Sequence, residues 1–254
     1  MRIQLIVYLS IIFLILNSCA TKKEILYLQD VENLNGNEIV YGNTKIQPND
    51  ILKISVGALV QESAIPYNRS TNQSGGVSLE LLQLEGYLVS TDNTIDFPVL
   101  GTISTKNNTV LELQANIERE LREGGHLKNP SVNVRILNAK VTILGEVNSP
   151  GTYNFTEQNI TLLQALGYAK DLTISGKRED VKVIREVDGN RKIATLDLTS
   201  SEFINSEFYQ VKPNDVIYVG QNNPKVKSAG FIGNVGTLLS VVSILFTTVV
   251  LITR

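Results

Sequence analysis

The chain has 254 residues, 43% of them hydrophobic, with 23 Lys and Arg set against 25 Asp and Glu, which is material for two modest domains of nearly neutral charge. A single cysteine excludes a disulfide framework and a single histidine excludes His-rich metal ligation. The slight acidity, without a basic patch interleaved with aromatics, argues against nucleic acid as a partner.

Met1-Arg2 and the apolar run from Leu5 to Leu16 read as a secretory signal. Leu16-Asn17-Ser18-Cys19 resembles the lipobox of bacterial lipoproteins, which implies a lipoprotein signal peptide over residues 1–18 and lipid attachment at Cys19. The alternative is a lone cysteine buried in an uncleaved helix. Residues 19–44 follow as an extended tether, polar and rich in asparagine (Asn33, Asn35, Asn37).

The body reads as strands with two good helices. Ile46 to Val56 combines a Pro-Asn-Asp turn with an alternating strand, and the phrase returns at Val211 to Gly220, an edge motif used once per domain. Gln61 to Gly76 has no periodicity and reads as a long loop. Gly86 to Gly101 is expected to form a hairpin turning at Thr91-Asp92-Asn93. Thr109 and Glu112 form a capping-box signal, Val110, Leu113, Ile117 and Leu121 share one helix face, and Gly124-Gly125 ends that helix. Its outer charges, Glu118 to Glu120 with Arg122 and Glu123, read as a solvated face. Pro130 to Ile136 is an alternating strand. From Val141 to Tyr153 a strand, a Gly-Glu-Val step and a Ser-Pro-Gly turn make a second hairpin. A short helix from Thr161 stops at Gly167, and a further hairpin turns at Asp188-Gly189.

The chain closes with an uncharged stretch from Phe231 to Ile252, which as a helix reaches about 33 Å, enough to cross a hydrocarbon core of about 30 Å. Gly233, Gly236, Thr237, Ser240, Ser243 and Thr247 place small and hydroxyl-bearing side chains along one face of it. Such a seam lets helices approach closely in lipid, or it lines a lumen; ordinary tolerance of these residues in membrane helices is the plain alternative.

Four segments in order, Pro48-Asn49-Asp50-Ile51-Leu52, the Tyr87 to Gly101 hairpin, the Pro130 to Leu144 strand pair and Gly145-Glu146-Val147 with Pro150-Gly151-Thr152-Tyr153, resemble the outer-membrane polysaccharide export lipoproteins (the Wza-like polysaccharide biosynthesis/export family). The last segment is similar to the start of a soluble-ligand-binding β-grasp (SLBB) module, and Pro213 to Val219 to its end. The resemblance implies an α+β fold with an export domain at 45–138 and a β-grasp domain at 139–220, then a linker at 221–230 and a transmembrane helix at 231–252. It implies passive export of polysaccharide through a homo-oligomeric ring, an octamer by resemblance, in the outer membrane. Most of the chain would lie in the periplasm beneath a lipid anchor, and an inner-membrane polysaccharide co-polymerase would be the partner. No cofactor is implied. Asp92-Asn93 stands where the family carries a turn glycine, a place asparagine fills because it tolerates positive φ.

Two rivals remain at this level. An enzyme would have to use His126, which sits in a Gly-Gly-His-Leu loop, or Asp92 and Asp96 as paired carboxylates on a turn and strand. A periplasmic ligand-binding or adaptor lipoprotein is the stronger rival, because fold does not fix function.

Overall fold

The computed structural model describes residues 25–33, 42, 44–69, 78–187, 189–222 and 235–252. Cys19, Gly233 and Asp188 lie outside the described residues, as do the signal segment and the expected linker from 223 onward.

Alternation builds the first unit. Strand β1 (Ile51–Gly57) sends Leu52, Ile54 and Val56 inward and Lys53 and Ser55 to solvent. After it come helix α1 (Leu79–Glu85), β2 (Tyr87–Leu88), β3 (Thr94–Phe97), β4 (Gly101–Ser104), helix α2 (Val110–Glu123) and β5 (Ser131–Ile136). The sheet order is β2-β1-β5, all antiparallel, with β5 on an outer edge. The expected capping box of α2 forms: the Thr109 hydroxyl accepts from the Glu112 N–H at 3.2 Å, and Glu112 accepts from the Thr109 N–H at 2.7 Å. Leu113, Ile117 and Leu121 are fully buried against the sheet, and Gly125 takes φ +73° just past the helix end. Of the outer charges, Glu118 is engaged, accepting from the Val132 N–H at 2.8 Å.

Two expectations are corrected here. The stretch from Gln61 is not all loop, since Gln61–Tyr67 forms a 3-10 helix with Ala64 and Tyr67 buried. Asn68 orders it: its amide pairs with both the N–H and the C=O of Val56 and also donates to Ala64 C=O, standing in for a missing strand partner. The turn at Asn93 does form, with φ 56°, but the flanking strands part. Tyr87–Leu88 joins β1, while β3 pairs with β4 in a separate hairpin whose tip, Val99, holds φ 68°.

The second unit contains β6 (Lys140–Gly145), β7 (Gly151–Asn154), β8 (Ile160–Thr161), helix α3 (Leu162–Tyr168), β9 (Gly176–Val187), β10 (Asn190–Leu196), β11 (Gln210–Val211) and β12 (Val216–Gln221). Its main sheet has the order β10-β9-β12-β6-β7, mixed because β12 runs parallel to β6. Thr161 and Gln164 make a second capping box for α3. That helix runs past Gly167 and ends where Lys170 and Asp171 turn left-handed, at φ 58° and 69°. Val141, Ile143, Leu162, Val181, Val183 and Ile217 are fully buried in the core.

Part of the expected tether is docked. In residues 25–33, the Leu28 and Gln29 N–H groups donate to the Leu198 and Thr199 carbonyls at 3.0 and 2.8 Å. Tyr27 and Leu28 pack against the second unit's core, and the Tyr27 hydroxyl donates to Asp171. The Asp30 carboxylate accepts from Ser200 and Ser201, whose donors hold its carboxyl below the usual range. Two apolar side chains and one capping carboxylate convert a polar segment into a strap.

Gly145 is fixed by close approach. Its φ is +91°, and a Cβ there would stand 2.0 Å from the Val219 carbonyl oxygen of the parallel neighbour β12. Gly145→Ala is therefore expected to cost at least about 2 kcal/mol, from strain and overpacking together. A urea unfolding midpoint matching wild type would contradict that close approach.

Candidate functional site

The repeated Pro-Asn-Asp phrase is one structure made twice. Asn49 and Asn214 take φ 70° and 68°, the left-handed region asparagine tolerates. The Asp50 carboxylate accepts from the Gln47 N–H at 2.8 Å, and the Asp215 carboxylate accepts from the Lys212 N–H at 2.8 Å. Each turn feeds a strand lying between two others, β1 between β2 and β5 and β12 between β9 and β6, so the edge placement expected from sequence is incorrect. The strands are interior because alternating apolar residues pack one face while both backbone edges find partners.

Both turns grip the junction between the two units. Asn138 accepts from the Ile51 N–H at 2.8 Å and donates to the Asn49 carbonyl at 2.9 Å. The Asn214 N–H donates to the Lys140 carbonyl at 2.7 Å. Gln47 also reaches the Glu186 carbonyl at 3.4 Å. A cleft of about 420 Å³ opens beside this junction, with α2 and β5 on one side and residues 156–159 and Pro213 on the other.

The two turns differ in charge compensation. Asp215, 1% exposed, receives the Arg185 guanidinium through Nε at 2.9 Å and Nη2 at 2.7 Å, and Arg185 also donates to the Glu207 and Gln210 carbonyls. Burial pushes the Asp215 carboxyl up, while Arg185 and the Lys212 N–H pull against it. Asp50, 2% exposed, has the Gln47 N–H alone among the described residues, and burial pushes its carboxyl up to about 6. The Arg185–Asp215 pair was not read from the sequence. The signal was there: in Val181-Lys182-Val183-Ile184-Arg185 the alternation puts Arg185 on the same inward face as Val181 and Val183.

Of the expected seam positions, Gly236, Ser240, Ser243 and Thr247 lie on helix α4 (Val235–Ile252) and are exposed; the Thr237 side chain lies outside the description. Ser240 donates to the Gly236 carbonyl and Thr247 to the Ser243 carbonyl, both at 2.8 Å, so these hydroxyl protons are satisfied within the helix. Leu239, Val242, Ile244 and Leu251 are exposed as well. No described helix is long and apolar enough to cross a membrane. The eighteen residues of α4 rise about 27 Å, short of a core of about 30 Å; the expected span began at Phe231, and 231–234 lie outside the description. Neither rival catalytic group is enclosed. His126 is exposed and meets Tyr67 edge-on at 5.9 Å, while Asp96 is exposed and accepts from Thr102 at 3.1 Å across its hairpin.

An antiparallel sheet with one capped helix, joined through a short junction to a mixed sheet, is the architecture to which the sequence comparisons attach a family. Residues 40–137 match the polysaccharide biosynthesis/export protein family, and residues 139–219 match the SLBB domain. The chain is similar to the EPS I polysaccharide export outer membrane protein EpsA of Ralstonia solanacearum, 27% identical over 138 residues, which is 53% of this chain and 36% of that protein. The EpsA of Ralstonia nicotianae is 27% identical over 161 residues, 61% of this chain and 41% of the relative. The chain thus aligns with less than half the length of either curated relative. It belongs to the polysaccharide export protein family and carries an SLBB domain behind its export domain.

The unequal aspartates give opposite expectations. With a folded value near 6 against an unfolded value near 3.8, Asp50 contributes stability that is fully present below about pH 4 and lost as pH rises through 6. Asp50→Asn keeps the acceptor without the charge. Its stability relative to wild type should therefore improve by about 2–3 kcal/mol between pH 4 and pH 7.5, read from urea midpoints; a difference constant with pH would refute the burial argument. Asp215→Ala should instead cost about 3–5 kcal/mol at neutral pH, because it strands the buried Arg185.

Proposed function

We propose that this protein is the outer-membrane component of a capsule or exopolysaccharide export conduit, in which a ring of identical chains lets the polymer pass without chemical change. What carries the reading is the export and SLBB pair followed by an uncharged helix on which Leu239, Val242, Ile244 and Leu251 are exposed. A helix with no charged face needs lipid or neighbouring helices around it. Its small residues permit close approach of copies, and hydroxyls already bonded within the helix add no desolvation cost at such a contact. The outer-membrane assignment draws on the names of the relatives, and a lipid on Cys19 would add a second anchor.

In this reading the chains close head-to-tail by rotational symmetry, an octamer by family resemblance, with the folded units in the periplasm and residues 231–252 as the membrane collar. An inner-membrane co-polymerase would deliver the chain from below. A conduit must release what it admits, so weak polar contacts suit it better than a tight site.

Native mass spectrometry of the full-length protein in mild detergent is expected to give one discrete large oligomer carrying a lipid mass at Cys19. Removing residues 231–254 should leave the folded units soluble and abolish surface polysaccharide. Monomers in detergent together with undiminished polysaccharide on the truncated strain would favour the adaptor or ligand-binding lipoprotein instead.

A further inference from the structure

The cleft beside the domain junction has the chemistry of a saccharide subsite, and of an acidic saccharide in particular. Its amide-bearing lining comprises Gln114, Asn133, Gln158 and Asn159, with Arg135 as the lining cation on one wall and Glu157 as the lining carboxylate on the other. Planar amides pair with neighbouring sugar hydroxyls in two-donor, two-acceptor fashion, and a guanidinium fork fits a carboxylate. No aromatic side chain is among the lining residues, so the stacking platform that would make sugar binding tight is missing.

Three independent features add positive potential. Arg135 on β5 lies directly opposite Lys53 on β1, two exposed like charges in register on one sheet face, an arrangement that is unfavourable unless an anion bridges it. Neither is in an ion pair with a carboxylate among the described residues. The first turn of α2 turns its positive dipole end toward the cleft, with Val110 and Leu111 among the lining residues. The third is the free edge of β5. Leu137 N–H donates to Ile51 C=O and Val132 N–H turns outward to Glu118, so the register also points the Val134 and Ile136 N–H groups away from β1 and toward the cleft.

We propose that this cleft is a low-affinity subsite for a uronic-acid-type unit of the exported polysaccharide, with Arg135, helped by Lys53, taking the carboxylate and the amides taking the ring hydroxyls. This rests on the export reading and names its substrate class as acidic. A strand from a second copy is the competing occupant of an open edge. It is disfavoured because Glu118 already caps one of the three outward donors, leaving only two on a strand of six residues.

Saturation-transfer NMR with full-length protein in detergent micelles reads millimolar binding directly. Trigalacturonate should receive saturation, losing most of it between low and high salt, and maltotriose should receive several-fold less. Arg135→Gln should cut the trigalacturonate signal at least five-fold, and Lys53→Gln should cut it by a smaller factor. Both side chains are exposed, so the folded units are left intact, which an unchanged urea midpoint checks. Equal transfer to the two trisaccharides, or equal transfer from wild type and Arg135→Gln, overturns the proposal. Protection of the Val134 amide from hydrogen exchange without sugar and dependent on protein concentration overturns it in favour of a second copy. Failure of these tests in a protein that still forms the discrete oligomer removes the subsite and leaves the conduit standing.

Discussion

Everything between the two sheets depends on four residues, Leu137 to Lys140. The junction is too short to act as a free linker, and each side of it is bonded to a Pro-Asn-Asp turn from a different unit. Asn138 takes the place of a strand partner for Ile51 and Asn49, and Lys140 C=O receives the Asn214 N–H. Because each turn also starts the central strand of its own sheet, the relative placement of the units is transmitted directly into both cores. This makes the repeat more than a common turn used twice. It is the pair of fittings through which two separate hydrophobic clusters become one body.

The two fittings are made with different electrostatics. In the second unit a buried aspartate is matched by a buried arginine whose three guanidinium nitrogens all donate to oxygen, so the geometry is specified. In the first unit the corresponding aspartate has one backbone donor and no cation among the described residues, so the charge itself is what burial opposes. A sequence repeat therefore conceals an asymmetry: burial raises both carboxyls, and only Asp215 has a guanidinium pulling against it.

Local patterns in the sequence were sufficient wherever one periodicity and one cap settled an element. The α2 helix with Thr109 and Glu112, the β6–β7 hairpin and the β9–β10 hairpin are of that kind, as is the α+β class with its SLBB domain. Contacts distant in sequence were not legible. Tyr87–Leu88 reads as half of a hairpin because its alternation continues toward Ile95, yet the backbone partner that wins is Ile51–Leu52, more than thirty residues earlier. The Gln61 stretch reads as loop because its order comes from a single amide, Asn68, reaching back to Val56. Of the candidate site, the cleft could not be read, since its walls come from α2, β5 and residues 156–159 and meet only through the junction.

The strap at residues 25–33 has a mechanical meaning. From Cys19 to Ile25 is six residue steps, which even fully extended span at most about 21 Å. An acyl chain fixed in a bilayer at Cys19 would therefore act as a leash of that length, tied to the second unit at Tyr27, Leu28 and Asp30 rather than to the first. A pull on that leash would load the Leu28–Leu198 and Gln29–Thr199 bonds in sequence from one end, as peeling does, and not all together. The SLBB domain would feel the membrane first, and the export domain only through the four-residue junction.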